Sequence, residues 1–104
     1  MSNYALIKSA IQNKQQIHAT YKNMHRELCP HALGHKNGNE QALFYQFGGE
    51  SSKGTIVPGD LANWRCLRVS ELSDLSVHSG EWFSADNHGT AQTCVGEIDV
   101  EISY

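Results

Sequence analysis

The stretch KNGNEQALFYQF, residues 36–47, indicates the fold class of this 104-residue chain. Asn37-Gly38 favours a two-residue hairpin turn, because both residues readily adopt positive φ angles. Residues 41–47 follow as the best strand candidate in the chain, since they are rich in apolar and aromatic side chains. The turn and the strand together predict a β-hairpin.

Short strand candidates lie on both sides of this hairpin. Before it, residues 17–21 alternate apolar and polar, and Lys22-Asn23 forms a predicted turn into residues 24–29. Pro30 is expected to end or bend that strand because it lacks a backbone donor, with residues 32–34 as its continuation. After the hairpin, strands are predicted at 64–69, along Leu72, Leu75 and Val77, and at 95–102. The last of these alternates apolar and acidic residues and is expected to cover a core on one side.

One helix precedes the strands. Tyr4, Ile7 and Ile11 recur at helical spacing, and Ser2 or Asn3 can serve as the N-cap, which predicts a helix over about residues 3–13. A helix followed by five or six short antiparallel strands predicts a single mainly β domain over residues 1–104, with a small barrel over about 16–104.

Composition excludes several classes of protein. Hydrophobic residues make up 39% and charged residues 18%, which is typical of a folded domain rather than of a disordered or membrane-embedded chain. No apolar run is long enough to cross a bilayer and no secretory signal is recognised, so a soluble cytoplasmic protein is expected. The net charge of −3 argues against a general nucleic-acid coat.

The charges are distributed unevenly. Residues 1–36 carry a balance of +4 and four of the six histidines, residues 37–69 balance at zero, and residues 70–104 carry −7. Two interpretations follow: the charges offset each other across the folded domain, or a basic side binds an anion or an acidic partner.

Metal and catalytic motifs are weak. The three cysteines, Cys29, Cys66 and Cys94, are far apart and are expected to be reduced and buried. Cys29, His31 and His35 form one ligand-like spacing, which His18 or His25 could approach, but Pro30 intervenes and no metal site is predicted. No catalytic motif is present, so neither an enzyme nor a cofactor is expected.

The residues expected on a ligand are basic, polar and aromatic. Arg26, Tyr45, Gln46 and Arg65 could hold an anion or stack against a base, and Arg65 and Arg68 point to opposite faces of their strand. His31 is expected beside Arg26, and Trp64 is a candidate stacking residue, whereas Trp82 is assigned to the core. The Gly/Ser loop after residue 47 resembles a phosphate-binding loop without matching one, and its candidate contacts are Ser51, Ser52 and Lys53.

Several of these residues fit a family pattern. The order of the helix, residues 17–21, Arg26-x-x-x-Pro30-His31-x-x-Gly34, Leu43-Phe44-Tyr45-Gln46 and Trp64-Arg65-x-Leu67-Arg68-Val69-x-Glu71-Leu72 resembles WYL domains, and especially short stand-alone WYL-like proteins of bacteria. The resemblance covers about residues 5–78, and Leu43-Phe44-Tyr45 stands where the family has Trp-Tyr-Leu.

The resemblance implies an Sm-like or SH3-like β-barrel that senses a ligand. Family ligands are nucleotides or single-stranded nucleic acid, and the family is associated with transcription regulation and phage defence. A single N-terminal helix cannot form a helix-turn-helix, so binding to duplex DNA is not expected. The leading hypothesis is therefore a non-enzymatic module for a small anionic or nucleotide-like ligand. The alternative is an interaction protein that assembles through its strand edges into a homo-oligomer.

Overall fold

A computed structural model describes residues 2–49, 64–80, 82 and 95–102. The described residues form one α-helix and six strands, which all belong to a single antiparallel sheet. The mainly β class and the N-terminal helix are therefore confirmed. In chain order the elements are α1 (Asn3–Asn13), β1 (Gln16–Tyr21), β2 (Met24–Lys36), β3 (Asn39–Gly49), β4 (Trp64–Arg68), a 3-10 turn (Val69–Glu71), β5 (Ser73–His78) and β6 (Glu97–Glu101).

Helix α1 has the bounds that the sequence predicts. Ser2 is the N-cap, and its Oγ accepts a hydrogen bond of 3.1 Å from the backbone N–H of Ala5. The helix ends at Asn13, and the C-cap Lys14 adopts the left-handed conformation with φ of 51°. Ile7, Ala10 and Ile11 are buried against the sheet, so the apolar side of the helix covers one sheet face.

Two tight turns set the register of the first three strands. Lys22 and Asn23 have φ angles of 51° and 61°, and Asn37 and Gly38 have φ angles of 53° and 80°. These are the positive angles of a type I′ turn, whose twist matches that of the flanking strands. Both predicted turns are confirmed.

Strand β2 organises the sheet. The strand order is β4-β3-β2-β1-β5, and β6 also pairs with β2. Strand β3 pairs along β2 from Arg26 to Lys36, whereas β1 pairs with its first half and β6 with its second half. The register shifts between Pro30 and Ala32 as in a β-bulge, and β2 continues beyond it. Of the two expectations for Pro30, that it ends or bends the strand, the first is wrong, and the predicted continuation through residues 32–34 is confirmed.

The sheet is not closed in the described part of the chain, so the predicted barrel is not confirmed. The Gly/Ser loop lies beyond the described residues from residue 50 to residue 63, as does most of the polar stretch that follows Trp82. Among the described residues no helix is long and apolar enough to cross a membrane.

The main core lies between α1 and the sheet, and a smaller cluster lies on the opposite sheet face. Trp82 packs against the main core, as the sequence predicts, and is half-buried. The buried members of the main core on the sheet side are Ile17, Ala19, Leu28, Leu33, Ala42, Phe44, Leu67, Val69, Leu72 and Ile102. The smaller cluster contains Ala32, Leu43 and Val95, with Trp64 packed against it.

The last strand departs from its predicted alternation. Val95 and Ile102 are buried, but Ile98 is 38% exposed. The pairing of β2 with β6 shifts register between Leu33 and Gly34, which interrupts the regular alternation of faces. The expectation that every apolar residue of 95–102 faces the core is therefore wrong at Ile98.

Helix α1 and β6 are connected by polar contacts. Tyr4 Oη donates a hydrogen bond of 2.7 Å to Asp99 Oδ2, and Lys8 Nζ lies 3.3 Å from the same oxygen. Burial and the hydrogen bond to Asp99 raise the pKa of Tyr4 to about 12, and the same hydrogen bond, followed by that from Lys8, lowers the pKa of Asp99. At this contact, charges from the basic and acidic ends of the chain offset each other.

The cysteines differ from the sequence-based expectation. Cys29 is fully buried and is a free cysteine, as expected. Cys66 is exposed and disulfide-bonded, so the expectation that all three cysteines are reduced and buried is wrong. The third cysteine, Cys94, lies outside the described residues. Sequence spacing could not reveal this bond, because it does not tell which distant segments meet in the fold.

Candidate functional site

Arg26 is a buried cation at the start of β2. It pairs with Ala19 of β1, and since paired residues of an antiparallel sheet lie on one face, Arg26 is on the helix-covered face. It pairs with Gly49 on the β3 side. Its exposed fraction is 4%, whereas arginine is almost never buried unless it is paired.

The surroundings of Arg26 satisfy only part of its guanidinium. Nη1 donates a hydrogen bond of 3.2 Å to Oε1 of Gln46, and the guanidinium carbon lies 5.2 Å from the centre of the Tyr21 ring. The buried Nε has no hydrogen-bond partner, and Arg26 has no ion pair with a described carboxylate. Burial lowers the pKa of Arg26, and the nearby Tyr21 opposes this shift.

A second arginine lies on the same face. Arg65 of β4 pairs with Phe44, which belongs to the main core, so its side chain is on the face that carries Arg26. Burial lowers the pKa of Arg65, and the positive charge of Arg26 lowers it further. Gln46 lies on this face as well, because it pairs with Leu28. We call Arg26, Gln46 and Arg65 the arginine site.

An aromatic cluster is formed by His31, Tyr45, Trp64 and Trp82. Tyr45 and Trp64 lie on the sheet face opposite the helix, whereas Trp82, which packs against the main core, joins the cluster through His31 at the bulge of β2. The Trp64 ring meets His31 edge-on at 4.8 Å and Tyr45 edge-on at 5.2 Å between centroids. Trp82 lies 5.0 Å from the His31 ring. His31 and Tyr45 are fully buried, and His31 Nδ1 is 2.8 Å from the carbonyl oxygen of Cys29. This cluster is a packed interior, with only the two tryptophans half-buried.

The structure thus divides the ligand residues predicted from the sequence. Arg26, Gln46 and Arg65 come together, but His31, expected beside Arg26, belongs to the aromatic cluster with Tyr45 and Trp64. The two arginines of β4 point to opposite faces, as predicted. The exposed Arg68 pairs with Gln41 and therefore shares the face of Tyr45. The remaining predicted contacts, Ser51, Ser52 and Lys53, lie outside the described residues.

A different cluster occupies the outer face of the β1–β2 hairpin. His18 pairs directly with Glu27, and His25 lies two residues before Glu27, on the same face. One ligand atom from each of the three residues lies within 4.8 Å of the other two. The ring of His78 on β5 stacks on His18 at 3.9 Å. Burial, followed by the proximity of His78, lowers the pKa of His18.

The sequence did not predict this cluster, which we call the histidine cluster and which consists of His18, His25 and Glu27. The ligand-like spacing in the sequence was instead that of Cys29, His31 and His35. Within the described part of the chain, those three do not converge: His31 is buried, whereas His35 is exposed and packs on Tyr4. The contact of Tyr21 with Arg26 was also missed. The Lys22-Asn23 turn could have revealed both, because it fixes which β1 residue faces which β2 residue.

The described residues enclose no pocket, so a ligand at the arginine site would lie at the rim of the sheet, where Arg65 is half-buried. Comparison of the chain with protein-family models, with curated proteins and with solved structures finds no match in any of the three.

Proposed function

We propose that this protein is a non-enzymatic binding module for a small phosphate-bearing or nucleotide-like anion, held at the arginine site. The observation that supports it most is the burial of Arg26, a residue that is 4% exposed and whose buried Nε has no hydrogen-bond partner. A guanidinium presents donors in a fork that matches two oxygens of a phosphate or a carboxylate.

The energetics support the same proposal. Removing an ionised group from water costs several kcal/mol unless an opposite charge or a full set of hydrogen bonds compensates it. Gln46 supplies a neutral acceptor and Tyr21 a ring face, and Arg65 adds a second positive charge that repels the first. An anion between the two guanidinium groups would give Arg26 Nε an acceptor and would relieve this repulsion.

A thermal-shift titration tests the proposal with matched probes. We expect inorganic phosphate and AMP to raise Tm, and adenosine, which lacks the phosphate, to leave it unchanged. At a concentration one hundred times Kd the stabilisation is about 2.7 kcal/mol, which corresponds to a rise of roughly 10–20 °C for a domain of this size. The same titration with a single-stranded oligonucleotide tests whether the phosphates of a nucleic acid bind at this site.

Substitutions locate the site. Arg65→Ala and Arg26→Met should abolish the shift, whereas Arg68→Ala should retain it, because Arg68 is an exposed arginine on the opposite face of the same strand. If Arg26→Met does not fold, Arg65→Ala alone decides. A phosphate-dependent shift that survives Arg65→Ala, or no shift with any anionic probe at millimolar concentration, overturns the proposal.

The second candidate function, assembly through strand edges, is favoured by two observations. The described sheet is open, and Ile98 on β6 is the large apolar residue that it exposes. Light scattering coupled to size-exclusion chromatography tests this: a dimer or ring that Ile98→Lys converts to a monomer supports assembly, and a monomer at high concentration contradicts it.

The WYL family, a closed Sm-like or SH3-like barrel, and the cytoplasm stay predictions. The disulfide of Cys66 counts against the cytoplasm, because that compartment keeps thiols reduced. The compartment is tested by alkylating free thiols in intact cells before lysis and counting the alkylated cysteines by mass spectrometry. Three labelled cysteines support the cytoplasm, and a single one indicates an oxidising compartment.

A further inference from the structure

We propose that the histidine cluster binds a zinc ion, with His18, His25 and Glu27 as its protein ligands. This site is separate from the arginine site, because residues of β2 alternate between the two faces of the sheet. Arg26 lies on the helix-covered face, and its neighbours His25 and Glu27 lie on the other.

The hairpin itself fixes the three ligands. The turn at Lys22 and Asn23 sets the register in which His18 faces Glu27 and Thr20 faces His25. His25 and Glu27 are two residues apart on one strand, so they share a face, and His18 approaches them from the neighbouring strand. Sites built on paired strands hold their ligands more rigidly than sites on loops.

The distances are close to those that zinc requires. Zinc binds nitrogen and carboxylate oxygen at about 2.0–2.2 Å in a tetrahedron, which places neighbouring ligand atoms roughly 3.3 Å apart. Nε2 of His25 is 3.4 Å from Oε2 of Glu27, and the full set lies within 4.8 Å. A side-chain adjustment of up to about 1.5 Å at His18 therefore completes three of the four positions. His25 is exposed and the other two residues are half-buried, so an ion can reach them from solvent.

The chemistry of the donors selects the metal. Two imidazoles and one carboxylate are a ligand set of zinc sites that keep a fourth position for water. Calcium and magnesium prefer all-oxygen sites and are not expected here. His78 stacks on His18, and its Nε2 is 2.8 Å from Oγ of Ser76, so it is placed to orient the His18 ring rather than to bind the ion.

Calorimetric titration of the full, untagged chain with zinc, after removal of bound metal with a chelator, tests the proposal. We expect one zinc per chain. His25→Gln and Glu27→Gln should each lower the zinc affinity more than about tenfold, because losing a ligand should cost at least as much as losing a residue that only orients a ligand. Because both residues lie on a solvent-facing strand surface, the variants should keep their fold, which circular dichroism checks.

Two further measurements sharpen the result. His35→Ala removes an exposed histidine from the far end of β2 and should leave the zinc affinity unchanged. Cobalt in place of zinc should give the intense visible absorption of a tetrahedral site, and Glu27→Gln should weaken it. The absence of saturable zinc binding, or an affinity that His25→Gln and Glu27→Gln do not change, overturns the proposal.

Discussion

Gly34 lies where β2 passes very close to β6, and replacing it with alanine tests that contact. A Cβ atom at this position would overlap the carbonyl oxygen of Glu97 and lie 2.6 Å from Cγ1 of Val95. The first neighbour is backbone, and the second belongs to a side chain that is 1% exposed. Neither can turn away as a flexible surface side chain would, so we expect Gly34→Ala to push β6 away from β2.

The size of the effect follows from two contributions. Forcing an extra methyl group into a packed site costs 1–3 kcal/mol and occasionally more. Displacing β6 also loosens Ile102, which is 7% exposed and whose full burial stabilises the fold by about 1.5–3 kcal/mol. We therefore expect a loss of about 3 kcal/mol in the free energy of unfolding, which lowers Tm by roughly 12–24 °C.

Urea unfolding followed by circular dichroism measures this loss, and Gly96→Ala is the matched control. A Cβ atom at Gly96 would lie 3.4 Å from the carbonyl oxygen of His35, a tight but nearly normal contact in the same segment of the chain. We expect that variant to stay within about 0.5 kcal/mol of the wild type. If Gly34→Ala unfolds at the same urea concentration as Gly96→Ala, β6 does not approach β2 as described.

Two further predictions use the cysteines and the contact between α1 and β6. In denaturant without reductant, a thiol reagent should react with one cysteine per chain, Cys29. After reduction it should react with three. Three reactive cysteines before reduction would contradict the disulfide of Cys66. The phenol of Tyr4 should ionise near pH 12 rather than 10 in an ultraviolet titration of the folded protein. Because the pKa of Tyr4 is raised in the folded state, the stability that Tyr4 adds is present below pH 10 and is lost as the pH rises toward 12. Tyr4→Phe should remove this dependence of the free energy of unfolding on pH. If the dependence is the same in the wild type and the variant, the prediction is refuted.

Local sequence signals were sufficient for most of the fold. The N-cap at Ser2 and the spacing of Ile7 and Ile11 located α1, and positive-φ residues at Asn23 and Gly38 located two hairpins. These signals act between residues a few positions apart, so they can be read without knowing the tertiary structure. Long-range features carry no such signal. The pairing of β6 with β2 and the disulfide of Cys66 depend on which distant segments meet.

The candidate sites follow the same division. Choosing the arginines as ligand residues needed only their chemistry. Deciding that Arg68, and not Arg65, shares the face of Tyr45 required the register of β3 with β4, which the chain segment between these strands leaves undetermined. The histidine cluster is the opposite case. Its three members lie around one two-residue turn, and counting outward from Lys22-Asn23 pairs His18 with Glu27.

The division of one edge of β2 between β1 and β6 has a consequence for the order of folding. The partners Tyr21 and Met24, and likewise Lys36 and Asn39, are separated by a single tight turn, so the β1–β2–β3 meander closes with little loss of chain entropy. Leu33 meets Val100 only after a far longer loop has closed. We therefore expect strand β6 to be the last to join and the first to be released in local opening. Amide hydrogens in the second half of β2 would then exchange through an opening that those near the β1–β2 turn do not share.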